Sequence, residues 1–199
     1  MLRYIGGDLV YKNFPVFTPF VANGSNGTLT GTIAMPKGNY RITMCGGGGS
    51  PGLIWAGSKF VRKVSCGSGG GIYGCMQVTK NQYISYSVGA INAATTFGSL
   101  TCNAGGVAVQ LDSDNGKGGT GGTISGTEYL YDYIIAKNGN DGGFYANQNY
   151  TDYGGGASVL VLENATSLYP AINLSYGRGA SATGETSAMA GYLKVEKIS

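Results

Sequence analysis

Most of the residue types needed for enzyme chemistry are missing from this chain or lie too far apart to predict a site. There is no histidine, which removes the commonest general base and a frequent zinc and iron ligand. The four cysteines, Cys45, Cys66, Cys75 and Cys102, include no CxxC pair of the kind that holds zinc. We therefore predict small buried thiols, no metal site and no cofactor.

Ten acidic residues are dispersed along the sequence, and a folded loop region could bring some of them together. Asp112 and Asp114 form one such pair, and Asp141 and Asp152 form another. Because glycoside hydrolysis needs two carboxyl groups, a glycan depolymerase remains an alternative. Residues 112–116 resemble the start of a calcium loop but lack its closing glutamate. We predict no catalytic residue and expect the chain not to be an enzyme.

Aromatic side chains are the candidates for recognition. Tyr145, Tyr150 and Tyr153 are interleaved with amide and acidic residues between positions 147 and 152, and planar rings beside amides suit contact with a sugar or a protein. Trp55, the single tryptophan, is the other candidate. We predict these four as receptor-contact residues. The alternative is a tyrosine-rich loop that packs on its own domain.

A basic cluster beside Trp55 is a candidate for binding nucleic acid. Lys59, Arg62 and Lys63 lie close to the tryptophan and to Phe60, an arrangement that could stack on and neutralise a single strand. The other cations are scattered, and the formal net charge is +3. This falls short of the basic stripe of a nucleic-acid-binding domain, so we predict no specific nucleic-acid partner.

The elements that would carry these residues are predicted to be β-strands. Short runs of β-branched and aromatic residues recur between turn-forming clusters, and almost no segment has helical periodicity. Residues 40–44, 72–78 and 83–88 have the composition of strands. A short polar break predicts a hairpin over residues 76–88. Residues 192–198 alternate well and are predicted to form a last strand that closes the sheet.

Glycine is the most unusual feature of the composition, with 37 residues in a chain that is 42% hydrophobic and only 12% charged. The hydrophobic fraction is too high for a disordered chain. Within two glycine clusters the residue recurs every three positions, the period of a polyproline-II-type helix: Gly46, Gly49 and Gly52, and Gly116, Gly119 and Gly122. We predict packed polyglycine helices of this type, with long loops as the alternative.

The N-terminal segment differs from the rest of the chain. Residues 14–20 alternate aromatic residues and prolines, a composition typical of an extended segment that lies on another surface. We predict that residues 1–30 form an extended arm or docking segment with Phe14, Phe17 and Phe20 as its contacts, and that residues 31–199 form a glycine-rich β domain. The alternative is an edge strand of the same domain.

An ordered series of motifs runs from about residue 33 to the end. PKGNYRITM at residues 36–44 leads directly into CGGGG, and GSGGG at residues 67–71 precedes a strand. YSVG at residues 86–89, FGSLTCNAGG at residues 97–106 and GYLKV at residues 191–195 follow. In this order the chain resembles the glycine-rich domains of bacteriophage tail and tail-fibre proteins. Its departure is the middle, since the stretch from 107 to 160 is less regularly rich in glycine.

The resemblance implies a β-sandwich-like, jelly-roll-like domain on the exterior of a virion, where it contributes to host attachment and carries no catalytic residue. It implies other virion proteins and a host glycan or protein receptor as partners, and assembly as a homo-oligomer. The chain would be made in the bacterial cytoplasm without a signal peptide and without membrane insertion. The alternative is a collar, cement or decoration subunit that touches no receptor.

Overall fold

A computed structural model of the chain describes residues 3–5, 8–10, 14–50, 52–56, 59–110, 116–117, 119–143, 156–180 and 187–198. These residues form 18 β-strands and one short 3₁₀ turn at Thr127–Tyr129, and they contain no α-helix. The prediction of an all-β fold is therefore confirmed. No helix that is long and apolar enough to cross a membrane occurs in these ranges.

The strands are short, and most of them are bounded by glycine or polar residues. In chain order they are β1 (Arg3–Ile5), β2 (Asp8–Val10), β3 (Phe20–Asn23), β4 (Leu29–Met35), β5 (Gly38–Cys45), β6 (Gly52–Ala56), β7 (Lys59–Val64), β8 (Gly71–Val78), β9 (Gln82–Val88), β10 (Thr95–Phe97), β11 (Leu100–Cys102), β12 (Val109–Gln110), β13 (Gly116–Lys117), β14 (Ile124–Ser125), β15 (Leu130–Lys137), β16 (Val161–Leu162), β17 (Ile172–Asn173) and β18 (Tyr192–Lys197).

Ten strands form two antiparallel sheets of five. The main sheet has the order β15-β8-β5-β18-β3, and the second sheet has the order β14-β11-β10-β9-β4. Side chains from both sheets share one buried core, which confirms the sandwich: Ala22, Ile33, Met35, Tyr40, Ile42, Met44, Ile72, Val78, Ile84, Val88, Phe97, Leu100, Cys102, Leu130, Leu193 and Val195.

The predicted hairpin over residues 76–88 is wrong, because β8 and β9 belong to different sheets. β8 pairs with β5 and β15, whereas β9 pairs with β4 and β10. Ile72 of β8 and Ile84 of β9 are both buried in the shared core, which they reach from opposite sheets. The chain between them therefore crosses the sandwich instead of turning within one sheet. The last strand, β18, also lies inside the main sheet, between β5 and β3.

The boundary predicted after residue 30 falls inside β4 and is not a boundary of this fold. β3 forms the edge of the main sheet beside β18. Three phenylalanines of the predicted arm pack on tyrosines of the sandwich, with ring centroids 4.8 to 5.3 Å apart: Phe14 on Tyr83, Phe17 on Tyr40 and Phe20 on Tyr86. Residues 14–23 are therefore part of the domain, as the alternative of an edge strand predicted.

Glycine-rich segments outside the two sheets form an ordered bundle. Gly46 donates its N–H to the carbonyl oxygen of Gly70 at 3.0 Å, and Gly49 donates to Gly67 at 2.9 Å. The same neighbour is thus contacted every three residues, which is the period of a polyproline-II-type helix. The predicted polyglycine packing is confirmed. In each glycine series one member lies outside the bundle, since Gly52 begins β6 and Gly116 begins β13.

Residues 65–70 form the centre of this bundle, and all six are buried. Their backbone groups are hydrogen-bonded to six other stretches of the described chain: residues 46–49, 103–106, 119–122, 140, 156 and 177–180. A Cβ built on Gly67 would lie 2.0 Å from the carbonyl oxygen of Thr120, and one built on Gly69 would lie 2.1 Å from that of Gly46. Only residues without a Cβ can occupy these positions, because backbone packs directly on backbone.

Candidate functional site

The glycine segments leave the sandwich at one end of the main sheet. Lys137, Gly71, Cys45 and Tyr192 lie side by side in one row across β15, β8, β5 and β18. Each of them is the strand residue next to the bundle. The segments attached to this row are residues 138–143, 65–70, 46–50 and 187–191. Because the strands end in register, their continuations run side by side away from the sandwich.

The far ends of the segments are also held together. Gly119 donates to the carbonyl oxygen of Ser65 at 3.1 Å, and Gly142 donates to that of Gly119 at 2.8 Å. We call this end the tip and define it by residues that hydrogen bonds connect there: Gly49, Ser65, Cys66, Gly106, Gly119, Gly142, Gly156 and Ala180. The tip and the sandwich are thus at opposite ends of the bundle.

Four stretches of chain begin and end at the tip: residues 51–64, 107–118, 144–155 and 181–186. The first carries the hairpin of β6 and β7, and the second carries the hairpin of β12 and β13. These stretches are far apart in sequence, yet the described residues that flank them all lie at the tip. Binding residues are commonly carried by chain segments that a rigid scaffold positions.

The predicted contact residues belong to two of these stretches. Trp55 lies in β6, next to the basic residues of β7. Tyr145, Tyr150 and Tyr153 lie outside the described residues. On either side of their stretch, Gly142 and Gly156 are hydrogen-bonded within the bundle, to Gly119 and Cys66. The structure therefore brings the anchoring points of the two predicted aromatic groups together, although about 90 residues separate the groups in sequence.

Side chains stabilise the bundle at its outer segments. The Oδ1 atom of Asp141 accepts the N–H of Gly121 at 2.7 Å, and the hydroxyl of Ser68 accepts the N–H of Asn140 at 2.7 Å. Asp141, considered from sequence as half of a catalytic pair, thus orders the backbone of a neighbouring segment. Asp112, Asp114 and Asp152 lie outside the described residues.

A second aromatic surface, which sequence reasoning missed, lies along β15. Tyr129, Tyr131 and Tyr133 have exposed fractions of 55%, 55% and 53%, and Ile134 follows at 41%. β15 is the outer strand of the main sheet, and irregularities next to Tyr131 and Ile134 interrupt its pairing with β8. Such bulges redirect side chains and discourage pairing with another strand. We call Tyr129, Tyr131, Tyr133 and Ile134 the lateral tyrosine edge; the alternation of tyrosines in the sequence was its signal.

A third apolar surface lies at the end of the sandwich opposite to the bundle, which we call the base. Phe20 pairs with Val195 near the base end of β18, so residues 14–19, which precede Phe20, lie there too. Val16 has an exposed fraction of 90%, and Tyr83, which contacts Phe14, has one of 62%. The N-terminal hairpin of β1 and β2 precedes this segment in the chain.

The described residues group no three histidine, cysteine, aspartate or glutamate side chains that could hold a metal ion. Cys45 and Cys102 are buried where the sandwich meets the bundle. Burial raises the pKa of Cys45 to about 12, and burial and the neighbouring Cys45 raise the pKa of Cys102 well above its usual value. Both thiols are therefore protonated at neutral pH and are poor nucleophiles. A depression of about 370 Å³ near Gly38 and Val78 has Lys37 as its one titratable side chain.

No protein-family model matches the chain, and a search of curated proteins finds no significant match.

Proposed function

We propose that this chain is a non-enzymatic structural component of a bacteriophage particle, a tail or fibre-tip protein whose tip contacts the host surface. The observation that carries the proposal is the anchoring of four separate stretches at one end of a backbone-packed bundle. Two of them contain Trp55 and the tyrosines at positions 145, 150 and 153. Aromatic rings on a rigid support bind sugars and proteins with little loss of conformational entropy.

The placement of the base and the tip at opposite ends of the molecule supports a second part of the proposal, which is docking at the base. Residues 14–19 lie at the end opposite to the tip, where Val16 and Tyr83 are exposed. A subunit mounted on another virion protein through its base would project its tip outward. Exposed apolar side chains grouped on a soluble domain commonly mark a protein interface. The expected partners are other virion proteins or further copies of this chain.

Binding to intact bacterial cells tests the role of the tip. A labelled chain with Trp55, Tyr145, Tyr150 and Tyr153 replaced by alanine is compared with the parent chain on a panel of bacterial strains. Loss of one hot-spot aromatic costs about 2 kcal/mol or more, or about thirtyfold in affinity, so the quadruple variant is expected to lose binding. Its melting temperature should stay close to that of the parent, because side chains that serve as receptor contacts, as the proposal requires, contribute little to stability.

A matched control replaces the exposed tyrosines of another surface. Tyr129, Tyr131 and Tyr133 have the same residue type and are more than half exposed, but they belong to the lateral tyrosine edge. Their alanine variants should bind cells like the parent chain. Retention of cell binding by the folded tip variant, or absence of binding by the parent chain on every strain, would contradict the proposed attachment.

The lateral tyrosine edge favours a second candidate function, that of a collar, cement or decoration subunit without receptor contact. Tyrosines are enriched in protein interfaces, and the edge exposes three of them with Ile134. This candidate predicts that replacing Tyr131 and Tyr133 impairs incorporation of the chain into particles, whereas the tip variant is incorporated and still infects. Infectivity that depends on the tip aromatics would instead favour attachment.

The proposed absence of enzyme activity is tested against the depolymerase alternative. The purified chain is incubated with extracted host surface polysaccharide, and new reducing ends are measured over time. We expect none. Polysaccharide cleavage that disappears on replacing Asp112, Asp114 or Asp141 would establish a depolymerase and overturn this part of the proposal.

A further inference from the structure

Ser50 is the last described residue before the chain leaves the bundle toward Trp55. Three of its polar groups are hydrogen-bonded to side chains. Its N–H donates to the Oδ1 atom of Asn92 at 2.7 Å, and its hydroxyl oxygen accepts from the Nδ2 atom of Asn92 at 2.8 Å. The thiol of Cys66 donates to its carbonyl oxygen. Elsewhere in the bundle most of the hydrogen bonds run between backbone groups, so this concentration of side-chain contacts is unusual.

Asn92 is itself fixed by its backbone. It lies in the turn between β9 and β10 with a φ angle of 62°, a left-handed conformation that asparagine tolerates better than most residues. Its N–H donates to the carbonyl oxygen of Gly48 at 3.0 Å, and Gly47 donates to Ala93 at 2.9 Å. The turn is thus hydrogen-bonded along the segment that Ser50 ends, and it aims the amide of Asn92 at Ser50.

We infer that Asn92, together with Cys66, clamps Ser50 and so fixes the direction in which the Trp55 hairpin leaves the bundle. Trp55 lies five residues beyond Ser50, about 16 Å along an extended chain. A change of about 20° in the exit direction would therefore move the tryptophan by about 5 Å, which is enough to misplace a binding contact. Asn92 acts as a positioning residue, since it lies in the sandwich turn and outside the stretches that carry the tip aromatics.

The single tryptophan makes the clamp measurable without any receptor, because fluorescence excited at the long-wavelength edge, where the 15 tyrosines do not absorb, reports on Trp55 alone. Asn92→Gly removes the amide and leaves the left-handed backbone without strain. We expect lower Trp55 anisotropy and faster acrylamide quenching. Because the variant loses both hydrogen bonds of the Asn92 amide to Ser50, cell binding should be at least about fivefold weaker, the ratio that a single lost hydrogen bond typically produces. Asn92→Asp keeps the acceptor for the N–H of Ser50, and its second carboxylate oxygen can accept from the Ser50 hydroxyl in place of the lost Nδ2 donor. This variant should behave like the parent chain.

Asn81→Gly is the matched control at the base. The Oδ1 atom of Asn81 accepts the N–H of Lys37 at 2.9 Å, a bond of the same type in an exposed loop far from Trp55. This variant should leave both fluorescence measurements and cell binding unchanged. Cys66→Ala breaks the clamp from its other side and should reproduce the effect of Asn92→Gly, so the inference stays testable even if one of the two variants does not fold.

The consequence for binding rests on the proposed attachment function, and the outcomes separate the two. Unchanged anisotropy and quenching in both folded clamp variants would overturn the clamp. A mobile Trp55 with full cell binding would overturn its role in binding; if the quadruple tip variant then fails to bind, the attachment function survives without the clamp. Full binding by the tip variant as well would remove the attachment function itself.

Discussion

At the scale of single residues, the bundle needs glycine because a Cβ would collide with backbone. Gly67 does not have a positive φ, so its torsion angles are open to other residues. The obstacle is the carbonyl oxygen of Thr120, 2.0 Å from a Cβ built on Gly67, which also accepts the N–H of Gly106. A hydrogen-bonded backbone oxygen cannot rotate away as the end of a side chain can.

Gly67→Ala is expected to destabilise the chain by more than about 3 kcal/mol, above the usual range for overpacking, because the obstacle is rigid backbone. Gly27→Ala is the control. A Cβ at Gly27 meets nothing within 4 Å, so this variant carries only the strain of its φ of 113°, about 1–2 kcal/mol. Urea unfolding measures both. Equal losses of stability would show that direct backbone contact is not what restricts position 67.

The buried thiols predict a loss of stability at alkaline pH. Burial raises the pKa of Cys45 from 9.0 to about 12, and the pKa of Cys102 is raised as well. A raised pKa in the folded state means that the unfolded chain ionises first, so stability is full below pH 9 and falls as the pH rises toward 12. Urea unfolding between pH 8 and 11 should show this fall, and Cys45→Ala should show a shallower one over the same range.

At the scale of elements, the glycine segments behave as a third kind of ordered structure beside the two sheets. They have neither the internal hydrogen bonds of a helix nor the two-residue alternation of a strand. The backbone groups of each segment are hydrogen-bonded to several neighbouring segments, and those of residues 65–70 are hydrogen-bonded to six. Their order therefore depends on the whole set of segments, and no single segment is expected to be stable alone.

Hydrogen exchange distinguishes such a bundle from the long loops that the sequence also allowed. The amides of Cys66, Gly67, Ser68, Gly69 and Gly70 all donate to carbonyl oxygens of other segments. We expect them to exchange as slowly as the amides of β5 and β8, because their exchange requires disruption of the bundle. The amide of Lys80, an exposed residue in the bend between β8 and β9, should exchange fast. Rapid exchange across residues 66–70 would mean that the segments are loops.

At the scale of the whole molecule, three regions follow one another along a single direction. The base contains residues 14–19, the sandwich supplies the apolar core, and the bundle carries the tip. The hairpin of β6 and β7 extends from the tip, and β6 packs against its partner strand and against β12. The stability of the fold should therefore depend little on this hairpin.

Replacing residues 52–64 with a short glycine-serine linker should leave the melting temperature within a few degrees of the parent value. Surface changes away from the core usually alter stability by about 0.5 kcal/mol, and loop length has a weak effect. Cell binding should fall if the tip is the attachment surface. Leu193→Ala, in the core, is the contrasting variant and should cost about 2–5 kcal/mol. Calorimetry gives both values, and a large loss from the hairpin replacement would place it in the folding core.

The sequence by itself determined the properties that depend on local composition. Strand-like composition and alternating apolar residues identified β5, β8, β9 and β18, because the two faces of a strand alternate wherever the chain goes. Glycine at every third position identified the polyglycine packing, since a missing Cβ is a property of the residue. The candidate aromatic residues were also named from composition alone, but the meeting at the tip of the described residues that flank their stretches was not predicted.

Only the tertiary structure decided which elements meet. Alternation in β8 and β9 shows which side chains are buried. The same alternation is compatible with a hairpin and with two facing sheets, so it does not determine which strand each of them pairs with. Phe14, Phe17 and Phe20 had the composition of a docking arm, and they pack on their own sandwich because its tyrosines lie within reach. The tip exists because strands distant in sequence end in one row, a long-range arrangement that no local pattern contains.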